Sequence, residues 1–490
     1  MLSFHYAWIV SVDTRASRRG RTRSREEGRG ESSPSAGGGM RDPITADRAR
    51  RRTVGGSRRR LLPALGTWAF FLTFAGQGVR NAVGWWAFGL IAAISEVILL
   101  LVFLHEGHRV PRRALPPLTG AYTALCLASV LWSQYPAATA LAGALMLATT
   151  AVGVLLACGL SLREMTDALS RALEAILVLS ILLELYVGLV LRRPLIPVYM
   201  QDWKAVPISY YWVNGEILHG GPIQGIVGNR NPLAFIALLT LLCTAVRWAD
   251  RRVRPFGLVV WSGLSALVLA LTASATVLVA VVVCVVITAV LWLMRHVPVA
   301  RRRLVSGVAL SLGVALAAAG LGLHSQVTDL LGRSSDLSGR WEIWTRVMDL
   351  WEQHTILGWG WIMYWPPWMP LFRTLVVRPD GTPTMSAHNA YVEALFQTGV
   401  VGGALIAVLV VTLVYRSFRL ATDHLDFDAS VLLPALLMTA LVVQSFTESR
   451  LLSEGNWVVV CALETWFGLH RMIELERSEP WASPLTPRGR

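Results

Sequence analysis

The segment Ser386-Ala387-His388-Asn389-Ala390-Tyr391 sets an imidazole beside a carboxamide at the mouth of a long apolar run, and Gly399-Val400-Val401-Gly402 follows within that run. Just upstream lies a long polar segment rich in Arg and Trp. An imidazole exchanges a proton near neutral pH. Guanidinium groups hold phosphate and carboxylate oxygens. Together these residue types suit membrane-surface chemistry on an anionic, lipid-linked substrate.

The elements that must position them are apolar. Of 490 residues, 54% are hydrophobic and only 16% charged, with a mean hydropathy of +0.51. A soluble domain of this size would expose too much apolar surface. Repeated apolar runs of about 17–25 residues match the length that crosses a bilayer core. The expected fold class is therefore all-α: a polytopic membrane protein with about 12 transmembrane helices and a large extracytoplasmic loop between helices 9 and 10. The expected spans are 62–79, 86–104, 115–132, 137–160, 169–191, 232–249, 256–272, 274–294, 304–323, 390–415, 430–447 and 455–470. Thr272-Ala273-Ser274 alone joins the seventh to the eighth.

The chain divides into residues 1–60, an Arg-rich cytoplasmic N-terminus of disordered composition; 61–323, helices 1–9; 324–389, the large outer loop; 390–470, helices 10–12; and 471–490, a cytoplasmic tail. Residues 1–60 carry Arg15, Arg18, Arg19, Arg21, Arg23 and Arg25 ahead of a Ser/Pro/Gly stretch. Met1–Val10 is too short for a signal peptide, and Met40 is an alternative start. The net charge of +14 is almost all Arg, Lys204 being the sole lysine. Its placement sets orientation and does not imply nucleic-acid binding. Arg109, Arg112, Arg113, Arg247, Arg251, Arg252, Arg254, Arg295, Arg301–Arg303, Arg416 and Arg419 fall in loops on one side, which puts both termini in the cytoplasm. The five cysteines lie in apolar runs without metal-ligand spacing and read as packing residues.

Two long loops, 192–231 and 324–389, fall outside and carry Arg against the topological trend. In the second, Trp341, Trp344, Met348 and Trp351 recur at helical spacing, and Trp359, Trp361, Trp365 and Trp368 follow. Such aromatics form an interfacial belt or a platform for sugar rings or a polyprenyl chain; both readings stand.

Several ordered motifs of the second half resemble the O-antigen ligase and polymerase family of polytopic glycan transferases. They are Gly225-Ile226-Val227-Gly228-Asn229-Arg230-Asn231-Pro232 entering a helix, Ser338-Gly339-Arg340-Trp341, Ile356-Leu357-Gly358-Trp359-Gly360, and His388-Asn389 with Gly399-x-x-Gly402. The detailed similarity covers roughly residues 220–415. The resemblance implies transfer of a glycan from undecaprenyl diphosphate to an acceptor hydroxyl at the outer face of the plasma membrane, without nucleotide sugar, cofactor or metal. It implies His388 as general base and Arg340 on the diphosphate as catalytic residues, with Arg230, Asn231, Asn389, Trp341 and Trp344 as substrate-binding residues. The partners implied are the undecaprenyl-diphosphate-linked glycan, an acceptor glycolipid or glycan, and membrane lipids, with no nucleic acid.

This chain departs from the family pattern in two places. Pro222 and Gln224 stand where the family often has Arg, and Ser274-Ala275-Thr276 stands where related members often show Ser-Arg-Gly. Asn389 reads as an orienting hydrogen bonder or helix cap. Glu393, one helical turn below His388, could polarise it or pair with Arg. A ligase stands ahead of a polymerase of the same family, on the Arg340–His388 spacing. The reading of another class is a transporter of lipid-linked sugars, which would use Glu96, Glu174 and Glu184 in apolar runs. A non-catalytic envelope scaffold would not need His388.

Overall fold

Proline and small polar residues decide where the helices begin. Pro117, Pro136 and Pro255 stand in the first turns of their helices, where the missing N–H is not needed. Ser161 and Glu164 form a reciprocal capping box. Asn229 and Asn389 each accept backbone N–H groups of the helix that follows them. The computed structural model describes residues 61–298, 301–302, 304–305, 307, 335–378, 381–424 and 429–478. The expected N-terminal arm lies outside these residues, as do the end of the tail and all but the first few positions of the ninth span.

Among the described residues the helices are α1 (Leu61–Phe74), α2 (Gly76–His105), α3 (Pro117–Ala128), α4 (Pro136–Gly159), α5 (Leu162–Leu185), α6 (Arg230–Ala249), α7 (Pro255–Thr272), α8 (Ala275–Arg295), α9 (Ser335–Trp351), the short α10 (Pro370–Arg373), α11 (Ala390–Asp423), α12 (Leu433–Ser445) and α13 (Glu454–Ser478). There is no strand among them, only two isolated bridges. Seven helices are long and apolar enough to cross a membrane, and three shorter ones are apolar. Leu90, Leu101, Val286 and Val411 turn apolar side chains outward, as a lipid-facing surface requires. Inside, α13 packs along α4, α1 along α5, and α6 between α5 and α7.

The first boundary differs from the expectation of helices at 62–79 and 86–104. The chain breaks at Ala75 instead, and Gly84 (φ 82°) kinks α2. The reason is a close approach: a Cβ on Gly78 would lie 2.3 Å from the Ile226 carbonyl oxygen. That contact draws the first turns of α2 inward, burying Arg80 and Asn81.

α11 is 34 residues long, about 51 Å at 1.5 Å per residue, which exceeds a hydrocarbon core of about 30 Å. It kinks at Gly399 (φ 65°, ψ −167°). The kink frees the Phe396 and Gln397 carbonyls, which accept from Trp359 N (3.1 Å) and Gly360 N (3.0 Å). In exchange, Val400 N donates to the Thr355 carbonyl at 2.8 Å. A Cβ on Gly399 would lie 2.1 Å from the Ile356 carbonyl oxygen, and one on Gly358 would lie 2.5 Å from the Gln397 carbonyl carbon. The two glycine motifs, separate in sequence, are thus one backbone-to-backbone joint that locks residues 355–360 onto the first turns of α11.

Gly399→Ala should therefore lower stability in detergent by more than about 2 kcal/mol, because both the left-handed φ and the space oppose it. Gly263→Ala, in open space within α7, should be neutral or slightly stabilising. Equal melting temperatures for Gly399→Ala and wild type would contradict the joint.

Candidate active site

His388 ends the segment that enters α11 and holds a left-handed backbone (φ 49°). Such a conformation persists where its surroundings over-determine it. Here both neighbours are tied. Ala387 N donates to Glu393 Oε2 at 2.7 Å, and the Ala387 carbonyl accepts from Trp344 Nε1 at 2.9 Å. Asn389 N donates to Ser449 Oγ at 3.3 Å, while the Asn389 side chain caps α11 and donates to the Phe446 carbonyl.

The imidazole meets a residue that sequence reasoning missed. His388 Nδ1 lies 3.3 Å from Glu448 Oε2, on the turn between α12 and α13. The other oxygen, Glu448 Oε1, accepts from Asn231 Nδ2 at 2.9 Å and pairs with an Arg340 guanidinium nitrogen at 3.7 Å. Asn231 in turn accepts from Ser274 Oγ at 2.9 Å. One carboxylate so brings together residues of α6, the α7–α8 turn, α9, the α11 entry and the α12–α13 turn. The signal for it was a charged residue in the short polar run Thr447-Glu448-Ser449-Arg450 between two apolar helices.

Burial by itself would push the Glu448 carboxyl up. The hydrogen bond and charge of His388, the Asn231 amide and the Arg340 guanidinium overrule it and hold the group down at about 2. An ionised carboxylate only accepts hydrogen bonds, so Nδ1 is the His388 nitrogen that donates to Glu448, and Nε2 makes no contact with it. The Glu448 side chain is 8% exposed, against 23% for His388 and 18% for Arg340. The anion sits inside, and the imidazole and the guanidinium are the more exposed members of the group.

The remaining sequence candidates fall as follows. Arg230 is the half-buried first residue of α6, next to Asn231. Trp344 positions the His388 segment through Ala387, whereas Trp341 is 70% exposed, its ring 6.2 Å from that of Trp344. The buried face of α9 is Ile343 and Val347, not a row of tryptophans. Trp361 and Trp365 are neither belt nor platform: both are fully buried. Trp365 stacks on Phe372, with ring centroids 5.7 Å apart.

Glu393 does not polarise His388 and does not pair with Arg. Its two oxygens accept from Trp365 Nε1 (2.7 Å), Gln397 Nε2 (2.6 Å), Ala387 N (2.7 Å) and Ser449 Oγ (2.9 Å). It ties the residue before His388 to the residue after Glu448. Of the acids considered for a transporter, Glu174 is paired with Arg247 at 2.7 Å, and Glu184 accepts the backbone N–H groups of Gln224 and Gly225.

The features define a class: an all-helical, multi-pass membrane protein with an imidazole–carboxylate–guanidinium group at one end of its helix bundle. A family model described as O-antigen ligase matches residues 259–407, under a third of the chain. The resemblance to the O-antigen ligase and polymerase family holds through this segment, which carries Arg340, His388 and the Gly358–Gly399 joint but ends before Glu448. No curated protein matches the chain.

Two outcomes test the geometry. Glu393→Gln places an amide N–H₂ against two donors and should cost on the order of 2–4 kcal/mol. A variant as stable as wild type in thermal unfolding would contradict the four-donor arrangement. Glu448, depressed from 4.5 to about 2, contributes stability that is complete above its unfolded pKa and lost as pH falls towards 2. Wild type should lose melting temperature between pH 5 and pH 3, and Glu448→Gln should lose less across the same interval. Parallel curves would show that Glu448 is not held ionised by its partners.

Proposed function

We propose that the protein is an O-antigen ligase-type glycan transferase that moves a glycan from undecaprenyl diphosphate to an acceptor hydroxyl at the outer face of the plasma membrane. The observation that carries this reading is the single carboxylate, Glu448, shared by His388 and Arg340. It fixes the tautomer that leaves His388 Nε2 free to act as base, and it sets the base beside a cation suited to a departing diphosphate.

In the proposed step His388 Nε2 takes the acceptor proton as the acceptor oxygen bonds to the anomeric carbon. The bond from that carbon to the diphosphate oxygen breaks, and undecaprenyl diphosphate leaves with the electron pair. Glu448 balances the imidazolium that forms, in the manner of a base and its orienting acid. Guanidinium groups, not a metal ion, meet the charge on the leaving group: Arg340 first, with Arg230 at the start of α6 as the second. Trp341 offers an exposed ring face to a sugar or a prenyl chain. Asn231 and Asn389 act through what they hold, Asn231 on Glu448 and Asn389 on the α11 entry. The acceptor is a glycolipid or glycan. The description of the matched family favours the ligase over a polymerase of the same family.

The test is glycan analysis of a deletion strain complemented with wild type, His388→Ala or Arg340→Ala. Accumulation of full-length chains on the lipid carrier, relieved by wild type alone, is the expected result. In membranes with a defined lipid-linked donor, His388→Ala should lower the rate about 10²–10⁴-fold and Arg340→Ala about 10²–10³-fold. Accumulation of single repeat units would make the protein a polymerase, and full complementation by both variants would remove the transferase reading.

A further inference from the structure

One residue beyond Asn231 and two beyond Glu448, the wall of the site continues into a second charged group. Glu454, the first residue of α13, holds two guanidinium groups. Its Oε1 lies 2.7 Å from an Arg80 nitrogen, and its Oε2 lies 3.0 Å from an Arg450 nitrogen. Two cations on one carboxylate leave a net positive charge. Arg80 is fixed further by Gln77 Oε1 at 2.8 Å and lies over the Trp85 and Phe88 rings at 5.0 and 5.1 Å. Glu454 itself has a left-handed backbone (φ 54°), a conformation that costs energy without Gly.

Beside this group is a cavity of about 20 Å³, walled by Phe74, Phe235, Gln444, Arg450, Glu454 and Asn456. It is large enough for about one water molecule. The Gln444 amide nitrogen is buried with no hydrogen-bond partner, and so is Arg80 Nε. The Tyr364 hydroxyl reaches Ser453 at 3.4 Å, and burial pushes its phenol up to about 12, so it stays protonated. Buried donors without partners are costly. An oxygen-rich anion would satisfy them. Arg450 is 22% exposed while Arg80 is 6% exposed, so the group is more accessible at Arg450, two residues from Glu448 in sequence.

We infer that Arg80, Arg450 and Glu454 form a second anion subsite for a phosphate of the lipid diphosphate, in which the Glu454 carboxylate occupies the two guanidinium groups until the phosphate displaces it. The inference rests on the proposed transferase function. The small cavity makes displacement necessary, because a phosphoryl group enters only as the carboxylate withdraws. The carboxylate then acts as an internal competitor: it keeps two arginines from being buried unpaired between turnovers, and it lowers the affinity for the diphosphate product that must leave.

The test is calorimetric binding of undecaprenyl diphosphate to the full-length protein in phosphatidylcholine nanodiscs. Glu454→Gln, which removes the competing charge, should bind on the order of tenfold more tightly. Arg450→Gln should bind on the order of tenfold or more weakly. If Glu454→Gln fails to fold, Arg450→Lys keeps the charge without the planar fork and should bind several-fold more weakly. Unchanged or weaker binding by folded Glu454→Gln, or unchanged binding by Arg450→Gln, overturns the subsite. Equal competition by phosphatidylglycerol also overturns it, since the site would then read any lipid phosphate. His388→Ala, run in parallel, separates the two readings. If it binds donor but does not transfer while the Glu454 and Arg450 variants bind as wild type, the transferase stands and this subsite falls. If it transfers at the wild-type rate, His388 is not the base; if wild type itself transfers nothing from the lipid-linked donor, the transferase reading falls, and the subsite with it.

Discussion

A buried carboxylate is tolerated only where charge and hydrogen bonds replace the water it has lost. Glu448 is such a group, and the polar end of the bundle is organised around that requirement. His388, Asn231 and Arg340 supply its partners from three different parts of the chain. Each of those elements is held in place so that the carboxylate is not left alone. The pairing is reciprocal: the ionised carboxylate also decides which imidazole nitrogen carries the proton.

Support for that group comes from packing and backbone geometry. The kink at Gly399 turns the first turns of α11 into a docking site for residues 355–360, and α9 leans on the same surface through Ile343 and Val347. Trp344 and Glu393 then clamp the residue before His388 from two sides. Ser449 carries the restraint across to the residue after Glu448. The other end of the bundle has its own polar clamp: Arg247 and Arg252 share Asp167 at 2.9 Å each. α6 runs between the two clamps, about 30 Å for its 20 residues. Fixed polar groups at both ends suit a site that holds its geometry inside an apolar exterior.

Much of this was legible in the sequence because it depends on local signals. The apolar runs at 137–160, 232–249 and 256–272 became helices within two residues of the expected ends, since Pro136, Asn229 and Pro255 mark their starts. His388, Arg340 and Asn231 were legible because their motifs are contiguous. What was not legible is tertiary. Glu448 is one acid in a short turn, and its importance appears only when three other segments close on it. The Ile356–Gly360 and Gly399–Gly402 motifs could each be seen, but not that one fits into the other. Trp361 and Trp365 resemble interfacial tryptophans in composition, yet Trp365 is buried in a small core that Ile343, Val347 and Phe372 build with Phe396 of α11, and Trp361 is buried in the main helical core.

The most direct test of the account is a double-mutant cycle on kcat/KM for transfer from an undecaprenyl-diphosphate-linked glycan, with His388→Ala, Glu448→Gln and the pair. If the imidazole and the carboxylate act as one unit, the second substitution adds little once the first is made, and the losses are strongly non-additive. If the two losses instead multiply as independent effects, Glu448 does not act through His388, and the shared-carboxylate account of this site is wrong.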